Sequence, residues 1–321
     1  MVDATLAQLS DTLFWVALVL YSVSLVSFIV AFAYRAKGAS TIGVVAAAAG
    51  TIAHAASIAS RGVAAGRVPW GNMYEYSSMI ALFVVLGYLI VVDGRFRLRE
   101  LGGFAMAIAV ITMGFARQLY APAGPLVPAL NSIWLKIHVV AMITASSVFS
   151  IAFIFTILYL LKDRAERRAT GGFTGSTVGA AYAGPAVDEK EGFPTDYLES
   201  EAELTRRSTA LNGFWAKLPS AERFDNLAFR AHAIGFPIWT FGTICGAIWA
   251  SKAWGRYWGW DPKETWAFIT WAIYAGYLHA RATSGWRGRR AALVATAGFV
   301  SLWITYYVVN LWIVGLHSYA K

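Results

Sequence analysis

The sequence predicts an all-α integral membrane protein of about eight transmembrane helices. Both termini are expected on the extracytoplasmic side, with a tryptophan-rich external loop between helices six and seven. Mean hydropathy is +0.53, and 58% of the 321 residues are hydrophobic against 14% charged, outside the range of soluble domains. Apolar runs of spanning length recur at 12–34, 41–59, 73–92, 101–117, 133–161, 227–251, 265–283 and 291–316. With the N-terminus outside, the cytoplasmic connections hold 19 of the 27 lysines and arginines, as the positive-inside bias requires.

Taken in order, the first run follows MVDATLAQLSD, which is acidic and lacks the basic region of a cleaved signal peptide, so it is expected to remain as a helix. The second and third are ordinary apolar stretches. The fourth, rich in glycine and alanine, is the weakest. The fifth opens on Trp134-Leu135-Lys136-Ile137-His138. After these five spans, within 1–162, the segment 163–226 mixes Gly, Ala, Thr and charge and cannot bury a core of its own. It reads as a largely disordered cytoplasmic loop with a short interfacial helix near 198–204. Spans six to eight occupy 227–321. The net charge of +9 follows from this placement and calls for no nucleic acid. One cysteine, Cys245, lies inside an apolar run, which excludes an internal disulfide and a CxxC redox centre.

The segment 249–271, WASKAWGRYWGWDPKETWAFITW, holds six of the 14 tryptophans. Its centre is too polar to cross a bilayer, yet spans flank it, so it sits at a membrane face. Asp261 before Pro262 suits a helix cap, with Glu264 near the positive end of the dipole. An aromatic belt anchoring a helix end is one reading of so many rings. The other is a binding wall. His138, near the external start of span five, and His317, past the external end of span eight, fall at the same face. Two imidazoles and a wall of rings suit a porphyrin and its iron, although unrelated interfacial histidines would satisfy the pattern equally. Lys263 or Arg256 is placed to meet an anionic substituent, or is simply solvated. His54 and His232 read as core histidines.

Residues 254–266, WGRYWGWDPKETW, closely resemble the tryptophan-rich "WWD" signature, roughly WGxxWxWDxxExW, of the haem-handling protein family. Within it the chain looks most like the polytopic subunit of the system II cytochrome c synthase of the bacterial cytoplasmic membrane. The likeness covers about 228–321, with a second patch at 69–75, PWGNMYE. It implies haem b as substrate and ligand, with Trp254, Trp258, Trp260, Asp261 and Trp266 in the haem-handling segment. It implies His138 and His317 as external axial ligands, and His279, near the cytoplasmic end of span seven, as an inner haem ligand. The second inner ligand would come from a ResB-like (Ccs1-type) membrane subunit, and apocytochrome c, bearing CxxCH, would be the acceptor of thioether bonds. Rival readings are a b-type electron-transfer cytochrome, against which no span carries two histidines; a secondary transporter, against which no duplication is visible; and a system I relative such as CcmC, whose motif lies earlier in the chain.

Overall fold

The computed structural model describes residues 2–34, 36–126, 128–169 and 214–316, all helix and connection. Helix α1 (Ala4–Tyr34) and α2 (Lys37–Ala65) form an antiparallel hairpin packed along its length. Helix α3 (Met73–Gly87) starts on the cap of Asn72, whose Oδ1 accepts the Glu75 N–H at 2.9 Å, and runs into a π-helical stretch, Tyr88–Arg95. Helix α4 (Gly102–Gln118) is continuous despite its glycines, two of which receive Phe28 of α1 at their bare Cα. Helix α5 (Ile133–Ala169) packs along α6 (Ala221–Trp254), then come α7 (Pro262–Thr283) and α8 (Arg289–Trp303), the last prolonged by a π-helical turn, Ile304–Val308, and Val309–Trp312.

Seven of these helices are long and apolar enough to cross a membrane. Each contains or overlaps an expected span. The expected seventh, 265–283, lies within α7, which at 22 residues is about 33 Å long but less apolar than the others, because tryptophan, tyrosine, threonine, His279 and Arg281 interrupt its alanines and isoleucines. Helix α5 continues to Ala169, and α6 begins at Ala221 under the cap of Ser220, so both enter the segment 163–226. The interfacial helix expected at 198–204 lies outside the described residues.

Some polar groups inside the bundle are paired across helices. Thr270 of α7 bonds Ser301 of α8 at 2.8 Å, and Arg281 of α7 bonds Asp225 of α6 at 2.6 Å while stacking on Phe229. In an apolar environment such pairs hold a helix that hydropathy alone would not. Cys245 is buried. His232 donates through Nδ1 to the Ala228 carbonyl at 2.7 Å, a core histidine as expected, and His54 is buried against the Ser78 hydroxyl at 2.8 Å.

Candidate functional site: a cleft under the tryptophan loop

Where α3, α5 and α7 begin and α6 ends, an open cleft of about 1060 Å³ forms. Its walls are Trp70, Gly71 and Asn72 before α3 and Met73 at its start, His138 and Met142 on α5, Gly246 and Trp249 on α6, Trp258 in the loop and Lys263 on α7, with Tyr306 from the π-helical turn of α8. The patch at 69–75 thus lies beside the loop at 255–261, though nearly 200 residues separate them in sequence.

The loop is held by its own acidic residues. Asp261 caps α7 by accepting the Lys263 N–H at 3.3 Å, and Glu264 reaches back to the N–H groups of Gly259 at 2.8 Å and Asp261 at 3.1 Å. This is the reciprocal capping box, with Pro262 in the first turn. Trp260 sits at φ 57°, a left-handed conformation costly for an aromatic residue and sustained by these bonds. Asp261 makes a further connection through Oδ1, which accepts the Leu316 N–H at 2.7 Å and so ties the segment after α8 to the start of α7. Gly315 has no room for a Cβ against that carboxylate.

His138 is half-buried in the cleft wall. Its Nδ1 lies 2.7 Å from the Gly242 carbonyl oxygen, which can only accept, so Nδ1 carries the proton. A ring held this way is oriented as metal-ligating histidines are. The slot exists because Gly246 lies against the ring: a Cβ there would come within 2.7 Å of Nδ1. Lys263 donates to Asn310 Oδ1 at 3.0 Å. It lies in the first turn of α7, ahead of the apolar stretch, and burial pushes its ammonium down to about 8, opposed by nearby Asp261.

A buried carboxylate fixes the opposite wall. Glu75 accepts from Arg61 Nε at 2.7 Å, from Arg67 at 2.8 and 3.0 Å, and from the Gly71 N–H at 2.7 Å. The two guanidiniums continue to the carbonyls of Ala121 at 2.6 Å and Gly124 at 2.7 Å. One side chain therefore joins the end of α2, the turn before α3 and the segment that leads to α5.

Of the residues singled out from sequence, the cleft brings together His138, Trp258 and Lys263. Trp254 packs edge-on against Trp249 behind the wall, at 4.8 Å between centroids. Trp260 is exposed, the Arg256 guanidinium folds over Gly259, and Trp266 lies off the lining. His279 is exposed on α7, away from the cleft. His317 lies outside the described residues, one position beyond the Leu316 that Asp261 holds. Sequence reasoning missed Gly242 and Gly246, whose small-xxx-small spacing on α6 was the available signal for close approach to α5. It also missed Arg61 and Arg67, for which no local signal exists.

The family model "Cytochrome C assembly protein" matches residues 70–317, and so places this apolar helical bundle, with a histidine, a cation and tryptophans around one cleft, in the cytochrome c assembly class of membrane proteins. Among curated relatives, "Cytochrome c biogenesis protein CcsA" of Porphyra purpurea is 37% identical over 278 residues, covering 84% of this chain and 83% of its own. The Gloeobacter violaceus protein of the same description is 38% identical over 275 residues, covering 82% and 81%. The chain belongs to the CcsA family. Among solved structures, the "Cytochrome c Heme Lyase CcmF" superposes with a TM-score of 0.64 at 15% identity over 95% of this chain. This chain spans 47% of that one, and the likeness is one of fold.

Proposed function

We propose that this chain receives haem b and presents it at the extracytoplasmic face of the bacterial cytoplasmic membrane for covalent attachment to apocytochrome c, as the CcsA-type subunit of a system II synthase. The observation that carries this is His138: a half-buried imidazole with its Nδ1 pinned to a carbonyl and its ring in a cleft beside Trp258 and Lys263. In this reading all eight long helices span the bilayer and both termini lie outside. His138 and His317 take the two axial positions of the iron, and the Asp261 bond to Leu316, the residue before His317, supports that pairing. Filling both positions limits reaction with oxygen while the vinyl edge stays open to the two CxxCH thiols. One histidine then yields to that of the apocytochrome. His279, exposed on α7, faces a ResB-like partner that supplies the other ligand of an inner site.

The test is the haem content and visible spectrum of the full chain with its ResB-like partner. A red-shifted six-coordinate spectrum is expected, and a partner-bound chain that purifies without haem would sink the reading.

Lys263 adds a pH dependence. A haem propionate accepts from the ammonium but gains little from the neutral amine. In the free cleft the ammonium is present below about 8, so affinity is full there and falls as pH rises through that value. The expected loss is roughly tenfold, as for one charge-assisted hydrogen bond. Lys263→Met should have that weaker affinity at every pH. A spectrophotometric haem titration between pH 6.5 and 10 checks both, and a flat profile for the native chain would remove Lys263 from the site.

A further inference from the structure

A second space, of about 760 Å³, lies beside the cleft between α6 and α7, outside the interhelical core. Trp258 and Thr243 line both spaces. Trp260 is its outer wall at 64% exposure, and Phe268 and Ile244, exposed in the same way, mark its mouth on the face that spanning helices turn to lipid. Trp271 forms the floor, nearly parallel to Phe268 with an interplanar angle of 13° and fixed by its Nε1–H to Thr240 Oγ1 at 3.0 Å. The two threonines add no polarity: each hydroxyl donates to the carbonyl four residues earlier, at 2.9 Å, leaving its methyl to the space. The trough is therefore apolar and aromatic throughout, and one indole separates it from the histidine and the lysine of the cleft.

We infer that this trough is a lateral portal for the porphyrin: the flat macrocycle passes between the bilayer and the cleft through it, with Trp258 as the movable partition. This rests on the reading of the cleft as a haem site. The chemistry fits a ring that is apolar on both faces and meets polar groups only where its iron and propionates come to rest. A lipid acyl chain would find the same apolarity, but nothing in a chain uses the shared wall with His138 and Lys263. Trp258 meets Trp260 edge-on at 5.7 Å and Phe268 at 6.5 Å, edge-to-face contacts that one rotation of its indole would break to join the two spaces.

The experiment follows haem uptake by haem-free full chain in lipid nanodiscs, with haem b supplied either dissolved in the lipid or as aqueous haem–albumin. Growth of the Soret band and quenching of tryptophan emission are both recorded. Ile244→Trp fills the trough from the α6 side away from the cleft. It should slow uptake from lipid about tenfold, a barrier of roughly 1.4 kcal/mol, with the final spectrum and the rate from albumin unchanged. Phe268→Ala widens the mouth and should speed uptake from lipid, so the two variants move in opposite directions and misfolding cannot imitate the result. Lipid uptake equal in both variants and the native chain, or slowed from both sources alike, would overturn the portal and leave the cleft reading standing. Failure of the native chain to bind haem from either source would overturn the cleft reading, and the portal with it.

Discussion

His138→Ala is expected to strip the outer site of haem. A histidine that only orients a ligand is worth about 10–100-fold in metal affinity, so loss of an axial ligand should cost at least about 100-fold. Purified variant should lose the six-coordinate bands of the native spectrum, and added imidazole should restore them, because the slot beside Gly246 that held the ring is left open. The control is His232→Ala: that ring is buried against Tyr274 and Tyr277 with Nδ1 on the Ala228 carbonyl. Its removal should lower stability and leave the spectrum alone. If both variants kept the native spectrum, iron ligation at the cleft would be wrong and the tryptophans would revert to a membrane anchor.

Glu75→Ala should be the most damaging change to folding. The side chain of Glu75 is inaccessible to solvent, and those of Arg61 and Arg67 are only 6% and 12% exposed, so its removal leaves two guanidiniums facing one another without their shared anion. Breaking a buried pair from one side costs about 3–5 kcal/mol. Here the Gly71 N–H loses its acceptor as well. Unfolding in mixed micelles measures the loss directly, and a variant with the native midpoint would show the cluster to be dispensable. Glu75→Gln keeps acceptors for part of the network and should fall between. Because the same carboxylate anchors 70–73 and the segment before α5, any folded Glu75→Ala chain should also bind haem poorly, through displacement of the wall that faces Trp258.

The local features of the site were legible in the sequence. Asp261, Pro262 and Glu264 announce a capped helix by spacing alone, and the structure has that cap. The apolar runs gave the long helices, because lipid-length hydrophobicity is a one-dimensional signal. What depends on pairing across helices was not legible. Glu75 reads only as the last residue of the 69–75 patch, with no role of its own, until α2 brings Arg61 to it, and Arg67 carries no mark distinguishing it from a surface cation. The tryptophans divide for the same reason: composition counts rings but cannot say that Trp258 turns into the cleft, Trp254 packs behind it and Trp260 faces out. That orientation is set by the left-handed backbone at Trp260 and by the two carboxylates that hold the loop.

The pairing of α7 with its neighbours bears on how the protein is made. Helix α7 is less apolar than the other long helices and carries His279 and Arg281 in its last two turns, where an arginine costs less than at a helix centre (about 2.5–3.5 kcal/mol) but still adds to a weak drive to enter the bilayer. Its partners arrive on both sides in time: Asp225 precedes it on α6, whereas Ser301 follows it on α8. A nascent chain that ends after Thr283 therefore has the ion pair but lacks the hydroxyl contact, and α7 is expected to leave the translocon only when α8 follows. A glycosylation-site reporter placed after Thr283 should read incomplete insertion in the truncated chain and complete insertion once α8 is present. Biogenesis of the haem site would then be a single event, since α7 brings Lys263 and the end of the tryptophan loop into place as it enters.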